Sequence, residues 1–171
     1  MPTHKNIKLN PVKLSIITVS SSRYAQKQKG NSVVDDSGQI AIDSLLKDGH
    51  EVISSKIVAD DSTLIKSESL KSIIEDRVDG LILIGGTGLS KNDVTVETIS
   101  ILFDKQLDGF SELFRLKSYE QIGTASYLSQ VSAGSIGETL VFCIPGSPKA
   151  VTLAMELILP ELSHAVGILK T

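Results

Sequence analysis

The chain holds a single cysteine, Cys143, among its 171 residues, so no internal disulfide is possible. Its three histidines are scattered, which leaves no cluster with the spacing of a zinc site. No basic block occurs: 17 Lys and Arg stand against 20 Asp and Glu, a net charge of −3. That balance argues against nucleic acid or an anionic membrane as a partner. Met1 to Pro11 is polar and lacks the apolar segment of a secretory signal. No apolar run reads as long enough to span a membrane, and no internal repeat is visible. The expectation is a cytoplasmic protein with a flexible N-terminal arm over residues 1–11 and one domain over 12–171.

What is present is ordinary for a soluble domain: 41% hydrophobic and 22% charged residues. The length is enough to bury one core. The chain is organised around residues 80–95. Leu81 to Ile84 is a short apolar run that suits a strand buried on both faces. It stops at Gly85, Gly86, Thr87 and Gly88, where three glycines in four residues permit positive φ and leave backbone N–H groups uncovered. Asp93 follows, then Thr95 as the expected N-cap of a helix through Ile99 and Leu102. Strand, glycine turn and helix start is an arrangement that holds anions in open α/β proteins. It is also an arrangement that simply makes a tight turn. The loop is not a Walker A motif, since Lys91 is followed by Asn92 and has no glycine before it. It is not the dinucleotide fingerprint either, because Lys91 occupies the place of the third glycine.

Further strands are expected at Lys13 to Val19, Val52 to Val58 and Thr139 to Ile144. Ser20, Ser21 and Ser22 follow the first; their hydroxyls suit phosphate or ribose, or equally a solvated turn. Residues 23–34 are polar and read as a long loop. Asp36 precedes a helix carrying Ile40, Ala41, Leu45 and Leu46, where a plain N-cap is the competing role. Asp60 and Asp61 end the second strand, and two adjacent carboxylates call for solvation, pairing or a metal. Ser62 reads as the better-placed cap of the helix that follows. Ile122 to Ile136 is rich in small residues and carries no clear pattern. Pro145-Gly146-Ser147-Pro148 opens a helix with proline in its first turn. Lys149 there opposes the helix dipole unless an anion is near. Ala150 to Leu159 is nearly all apolar, which suits deep burial or a subunit contact. Pro160 is expected to restart a last helix. Alternating strands and helices predict an α/β sandwich with a largely parallel sheet. That sheet gathers Ser20, Asp60, the glycine loop and the Pro-Gly-Ser-Pro loop at one edge.

In order along the chain, the marked segments are Thr18-Val19-Ser20, Asp36-Ser37-Gly38, Ala59-Asp60-Asp61, Gly85-Gly86-Thr87-Gly88 with Asp93-Val94-Thr95, Phe114-Arg115, Leu128-Ser129 and Ile144-Pro145-Gly146-Ser147-Pro148. Together, from about Val12 to Leu169, they resemble the molybdenum cofactor biosynthesis protein B family, the molybdopterin adenylyltransferase-like proteins related to the gephyrin G domain. The resemblance implies a three-layer α/β sandwich that binds molybdopterin and ATP with Mg²⁺. It implies transfer of AMP to the pterin phosphate, with Asp60 and Asp93 as catalytic and metal-binding residues. Ser20, Asp36, Gly85, Gly86, Thr87, Gly88, Ser129, Pro145, Gly146 and Ser147 are the implied substrate contacts. A trimer or hexamer is implied too, with other cofactor-biosynthesis enzymes as further partners. Nucleotidyl transfer to an ionised phosphate needs no Ser-His or Cys-His base, and none is visible. Two positions depart from the family pattern: Gln130 stands where an Arg is usual, and Val96 where a Pro is usual. A molybdopterin-binding or scaffold protein without transferase activity is the alternative, and an unrelated nucleotide-binding α/β protein is a third.

Overall fold

The structure, a computed structural model, describes residues 11–171. The expected N-terminal arm therefore lies, apart from Pro11, outside the described residues. In chain order the elements are β1 (Lys13–Val19), α1 (Ser21–Gln28), α2 (Asp36–Lys47), β2 (Glu51–Val58), α3 (Ser62–Ile74), β3 (Gly80–Ile84), α4 (Thr95–Ser100), β4 (Lys105–Gln106), α5 (Asp108–Ile122), a 3-10 turn (Gly123–Leu128), β5 (Ser132–Ile136), β6 (Thr139–Ile144) and α6 (Pro148–Leu169).

One six-stranded sheet runs in the order β2-β1-β3-β6-β5-β4. The first four are mutually parallel, while β5 is antiparallel to both β6 and β4. Side chains alternate between the faces of each inner strand. Leu14, Ile16, Ile82, Ile84, Leu140, Phe142 and Ile144 face one way and pack with α2, α5 and α6. Ile17, Val19, Leu81, Leu83, Val141 and Cys143 face the other and pack with α3 and α4. These strands are buried on both faces, which is why β3 and β6 read as unbroken apolar runs. The result is the expected three-layer sandwich.

Three expectations about elements are corrected. The loop expected over residues 23–34 is helix as far as Gln28, the end of α1. Helix α1 has no buried residue, so no apolar period marks it in the sequence. Its first turn is instead held by side-chain acceptors, with Ser20 Oγ accepting from the Arg23 N–H. Next, Pro160 does not start a new helix. It lies exposed inside the continuous α6, while Ile158, Leu162 and Val166 around it are buried. An interior proline costs about 3 kcal/mol, and burying those three apolar side chains returns about 1.5–3 kcal/mol each. Packing therefore carries the helix through. Finally, α6 is by length and composition apolar enough to cross a membrane, contrary to the expectation that no such run exists. Its apolar face is taken up by the core, where Val151, Ala154 and Met155 are buried. The unassigned stretch 122–136 resolves into the end of α5, the 3-10 turn and the short strand β5.

Candidate functional site

The four parallel strands end on the same edge of the sheet. They deliver Asp60, Ser20, the glycine loop and the Pro-Gly-Ser-Pro loop there, as expected. The chain leaves β1 for β2 on one side and returns to β3 on the other. The edge between Ser20 and Gly85 is thus the topological switch point, where open α/β sheets leave a crevice for ligands.

The glycine loop is clamped by its carbonyls. Buried Thr95 donates its hydroxyl to the Gly85 oxygen at 2.8 Å and its N–H to the Gly86 oxygen at 3.0 Å. The Gln130 N–H reaches the Thr87 oxygen at 2.7 Å. With three successive carbonyls turned to protein donors, the N–H groups of Gly86, Thr87 and Gly88 have no protein acceptor among the described residues. Consecutive free N–H groups at a strand end form a concavity for an anion. Gly85 and Gly86 have φ of +100° and +65°. A Cβ on Gly85 would stand 2.5 Å from the Val19 oxygen, and one on Gly146 would stand 3.2 Å from the Gly85 Cα. The two loops thus meet backbone to backbone. Thr95 does not cap α4, as the sequence suggested. Val94 holds the cap position, where its hydrocarbon side chain can accept no bond, and the Thr95 hydroxyl is committed to the loop.

The two aspartates stand at either end of this loop. Asp60 Oδ2 accepts from the Ser21 N–H at 2.8 Å and the Ser21 hydroxyl at 2.7 Å, while Oδ1 lies over Gly86. Asp93 Oδ2 accepts from the Ser90 N–H at 3.1 Å and lies over Gly88. Asp61, not Ser62, caps α3, with Oδ1 accepting from the Leu64 N–H at 2.8 Å. The adjacent carboxylates therefore divide the work, one capping and one facing the loop. Among the described residues no three His, Cys, Asp or Glu gather around one point. Mg²⁺ does not require that, since it takes one or two carboxylates and completes its shell with phosphate oxygens and water. An Asp60 oxygen over a glycine without a Cβ, beside free N–H donors for phosphate, fits such an ion.

The remaining expected residues are placed as follows. Ser20 is half-buried at the N-cap of α1. Ser129 is half-buried next to Gln130, whose bond to Thr87 draws this segment against the loop. Pro145 is buried, Gly146 is exposed and Ser147 caps α6 by accepting from the Ala150 N–H at 3.2 Å. Asp36 is exposed in the first turn of α2 and does not cap it. Asp35 caps instead, accepting from the Gly38 N–H at 3.1 Å and from the Thr18 hydroxyl at 2.6 Å. Ser37 donates to the Gly146 oxygen at 2.7 Å, tying α2 to the Pro-Gly-Ser-Pro loop. The Gln130 side chain donates to Glu97 at 3.2 Å and brings no charge. Burial, reinforced by the charge of Glu97, pushes the Cys143 thiol far above the usual thiol range, so it plays no part at neutral pH.

Sequence reasoning did not single out Asp35, Ser37 and Gln130 as parts that hold this edge together. Their bonds to Thr18, Gly146 and Glu97 span 17, 109 and 33 residues, so local spacing does not reveal these ties.

The family profile described as a probable molybdopterin binding domain matches residues 15–164. The chain is 43% identical over 163 residues to molybdenum cofactor biosynthesis protein B of Bacillus cereus, covering 94% of this chain and 92% of that one. A crystal structure of molybdenum cofactor biosynthesis protein B superposes with a TM-score of 0.87 at 42% identity, covering 96% of this chain and 99% of the other. The tungsten cofactor synthesizing protein MoaB from Pyrococcus furiosus follows with a TM-score of 0.83 at 36% identity, covering 94% and 98%.

Proposed function

The chain belongs to the molybdenum cofactor biosynthesis protein B family, and on that premise we propose that it binds molybdopterin and Mg-ATP and transfers AMP to the pterin phosphate. A role in molybdenum cofactor biosynthesis follows from the family. The observation that carries the finer reading is the free N–H run of Gly86 to Gly88 between the carboxylates of Asp60 and Asp93.

In this reaction an oxygen of the pterin phosphate bonds to the α-phosphorus of ATP. The bond from that phosphorus to the bridging oxygen of the β-phosphate breaks, and pyrophosphate leaves with the electron pair. The attacking oxygen is ionised at neutral pH, so the protein need not remove a proton. Its tasks are to align the phosphates and to spread their charge. The glycine-loop N–H groups point fixed dipoles at phosphate oxygens without reorganising during the reaction. Asp60 and Asp93 would hold Mg²⁺, which neutralises charge that two carboxylates would otherwise repel. Ser20, Asp36, Ser129, Pro145, Gly146 and Ser147 would contact the substrates, as the family resemblance implies.

Purified protein with Mg-ATP should release pyrophosphate only when molybdopterin is added. Tight pterin binding with no pyrophosphate released would instead establish the binding or scaffold function.

The same reading has the chain assemble as a trimer or hexamer in the cytoplasm, alongside other enzymes of cofactor biosynthesis. Phe103 and Phe110, which read as exposed in the sequence, do not support assembly, because both are half-buried against the core. Support comes from α5, where Leu113, Leu116, Tyr119 and Ile122 are each more than half exposed. They recur every third residue, as an apolar stripe that winds about 180° round the helix from Leu113 to Ile122; exposed apolar side chains gathered on one helix mark a contact surface.

A further inference from the structure

We propose that Ser21 is the positioning residue of Asp60, fixing which carboxylate oxygen faces the glycine loop. The proposal rests on Asp60 serving as a metal ligand.

Asp60 lies in the short link between β2 and α3, outside both elements. Its own backbone donates to Ser21 Oγ at 2.9 Å, and Ser21 returns both its hydroxyl and its N–H to Oδ2, at 2.7 and 2.8 Å. The three bonds join residues 39 apart in sequence and give one carboxylate oxygen two donors. The other oxygen, Oδ1, is left against Gly86, at the mouth of the N–H concavity. A carboxylate gripped at one oxygen and open at the other is oriented before any ligand arrives. Partners of this kind typically control metal affinity by about 10- to 100-fold.

The competing role is that Asp60 merely secures the start of α1. Ser21 is the first residue of that helix, so its N–H has no partner within the helix. Helix α1 buries no side chain, and its other ties are the Ser20 N–H to the Val58 oxygen and Arg23 Nε to the Val34 oxygen. The two roles separate at the hydroxyl. Ser21→Ala keeps the N–H bond that secures the helix and removes the hydroxyl that completes the grip on Oδ2.

The test is Mn²⁺ binding, read by electron paramagnetic resonance, with an α,β-methylene analogue of ATP that cannot be cleaved. Ser21→Ala, Ser21→Thr and Asp60→Asn are compared with the parent, with helicity and melting temperature measured on each. The expected result is a loss of Mn²⁺ affinity of about 10- to 100-fold in Ser21→Ala, at unchanged helicity, with recovery in Ser21→Thr. Parent-like affinity in Ser21→Ala overturns the positioning role while Asp60→Asn still loses the ion. An equal loss in Ser21→Thr overturns it as well, since the hydroxyl is then not what matters. Parent-like affinity in Asp60→Asn overturns the metal role of Asp60 itself.

Discussion

Thr95 holds the Gly85 carbonyl from beneath, at 2.8 Å, in a position with no solvent exposure. Removing the hydroxyl leaves a buried carbonyl without that donor. Thr95→Val should cost about 1–3 kcal/mol, at about 2–4 °C of Tm per kcal/mol for a chain of this size. Thr95→Ser, which keeps the hydroxyl, should recover most of the loss. A Thr95→Val protein that melts with the parent would show that the clamp adds nothing.

Gly86 should tolerate no side chain. A Cβ there would stand 2.3 Å from Thr95 Oγ1, at a φ of +65°. Gly86→Val should therefore lose both nucleotide binding and stability, since the clamp and the side chain compete for one space. Gly109 is the control, because nothing lies within 4 Å of a Cβ added there. Gly109→Ala should hold the parent Tm or exceed it, by about 0.4–1 kcal/mol of stability. Calorimetric titration with Mg-ATP beside thermal melts reads both effects.

Asp60 and Asp93 flank the same loop, so each should be needed for turnover. Asp60→Asn and Asp93→Asn should slow single-turnover AMP transfer by about two to three orders of magnitude, the scale of one lost electrostatic element. Melting temperatures should stay within a few degrees of the parent, since each carboxylate receives its donors at the surface. Near-parent rates in both variants would favour the scaffold reading.

Cys143 should be silent toward thiol reagents in the folded protein. It is fully buried in β6, and burial holds its thiol protonated well beyond the usual range. Raising the pH to mildly alkaline values should leave it unreacted, with one equivalent modified only once the chain unfolds. Rapid modification in the native state would mean that the layers packed over β6 open.

Leu116 and Tyr119 lie on the exposed stripe of α5. Leu116→Asp should reduce the molar mass seen by light scattering without lowering helicity. A parent that is itself monomeric at micromolar concentration would remove the assembly proposal.

Much of this architecture is written into local pattern. The apolar run of β3, the glycines after it and the Pro-Gly-Ser-Pro break after β6 are dictated by residues adjacent in sequence. Backbone freedom, strand burial and proline chemistry act over a few residues, so the four parallel strands and their converging ends could be read directly, while β4 and β5 could not. The motif order then pointed to the family, which the comparisons bear out.

Only the tertiary structure decided which side chain does what at that edge. Ser62 or Asp61, Asp35 or Asp36, and Thr95 as cap or clamp are equivalent choices to local spacing. Each was settled by a partner distant in sequence or by a position at the helix start: Asp35 by Thr18, Thr95 by Gly85, and Asp61 by the orientation of α3. Helix α1 and the unbroken α6 were hidden for the same reason. One lacks any buried face, and the other carries a proline whose cost is offset by core contacts contributed from the whole length of the chain.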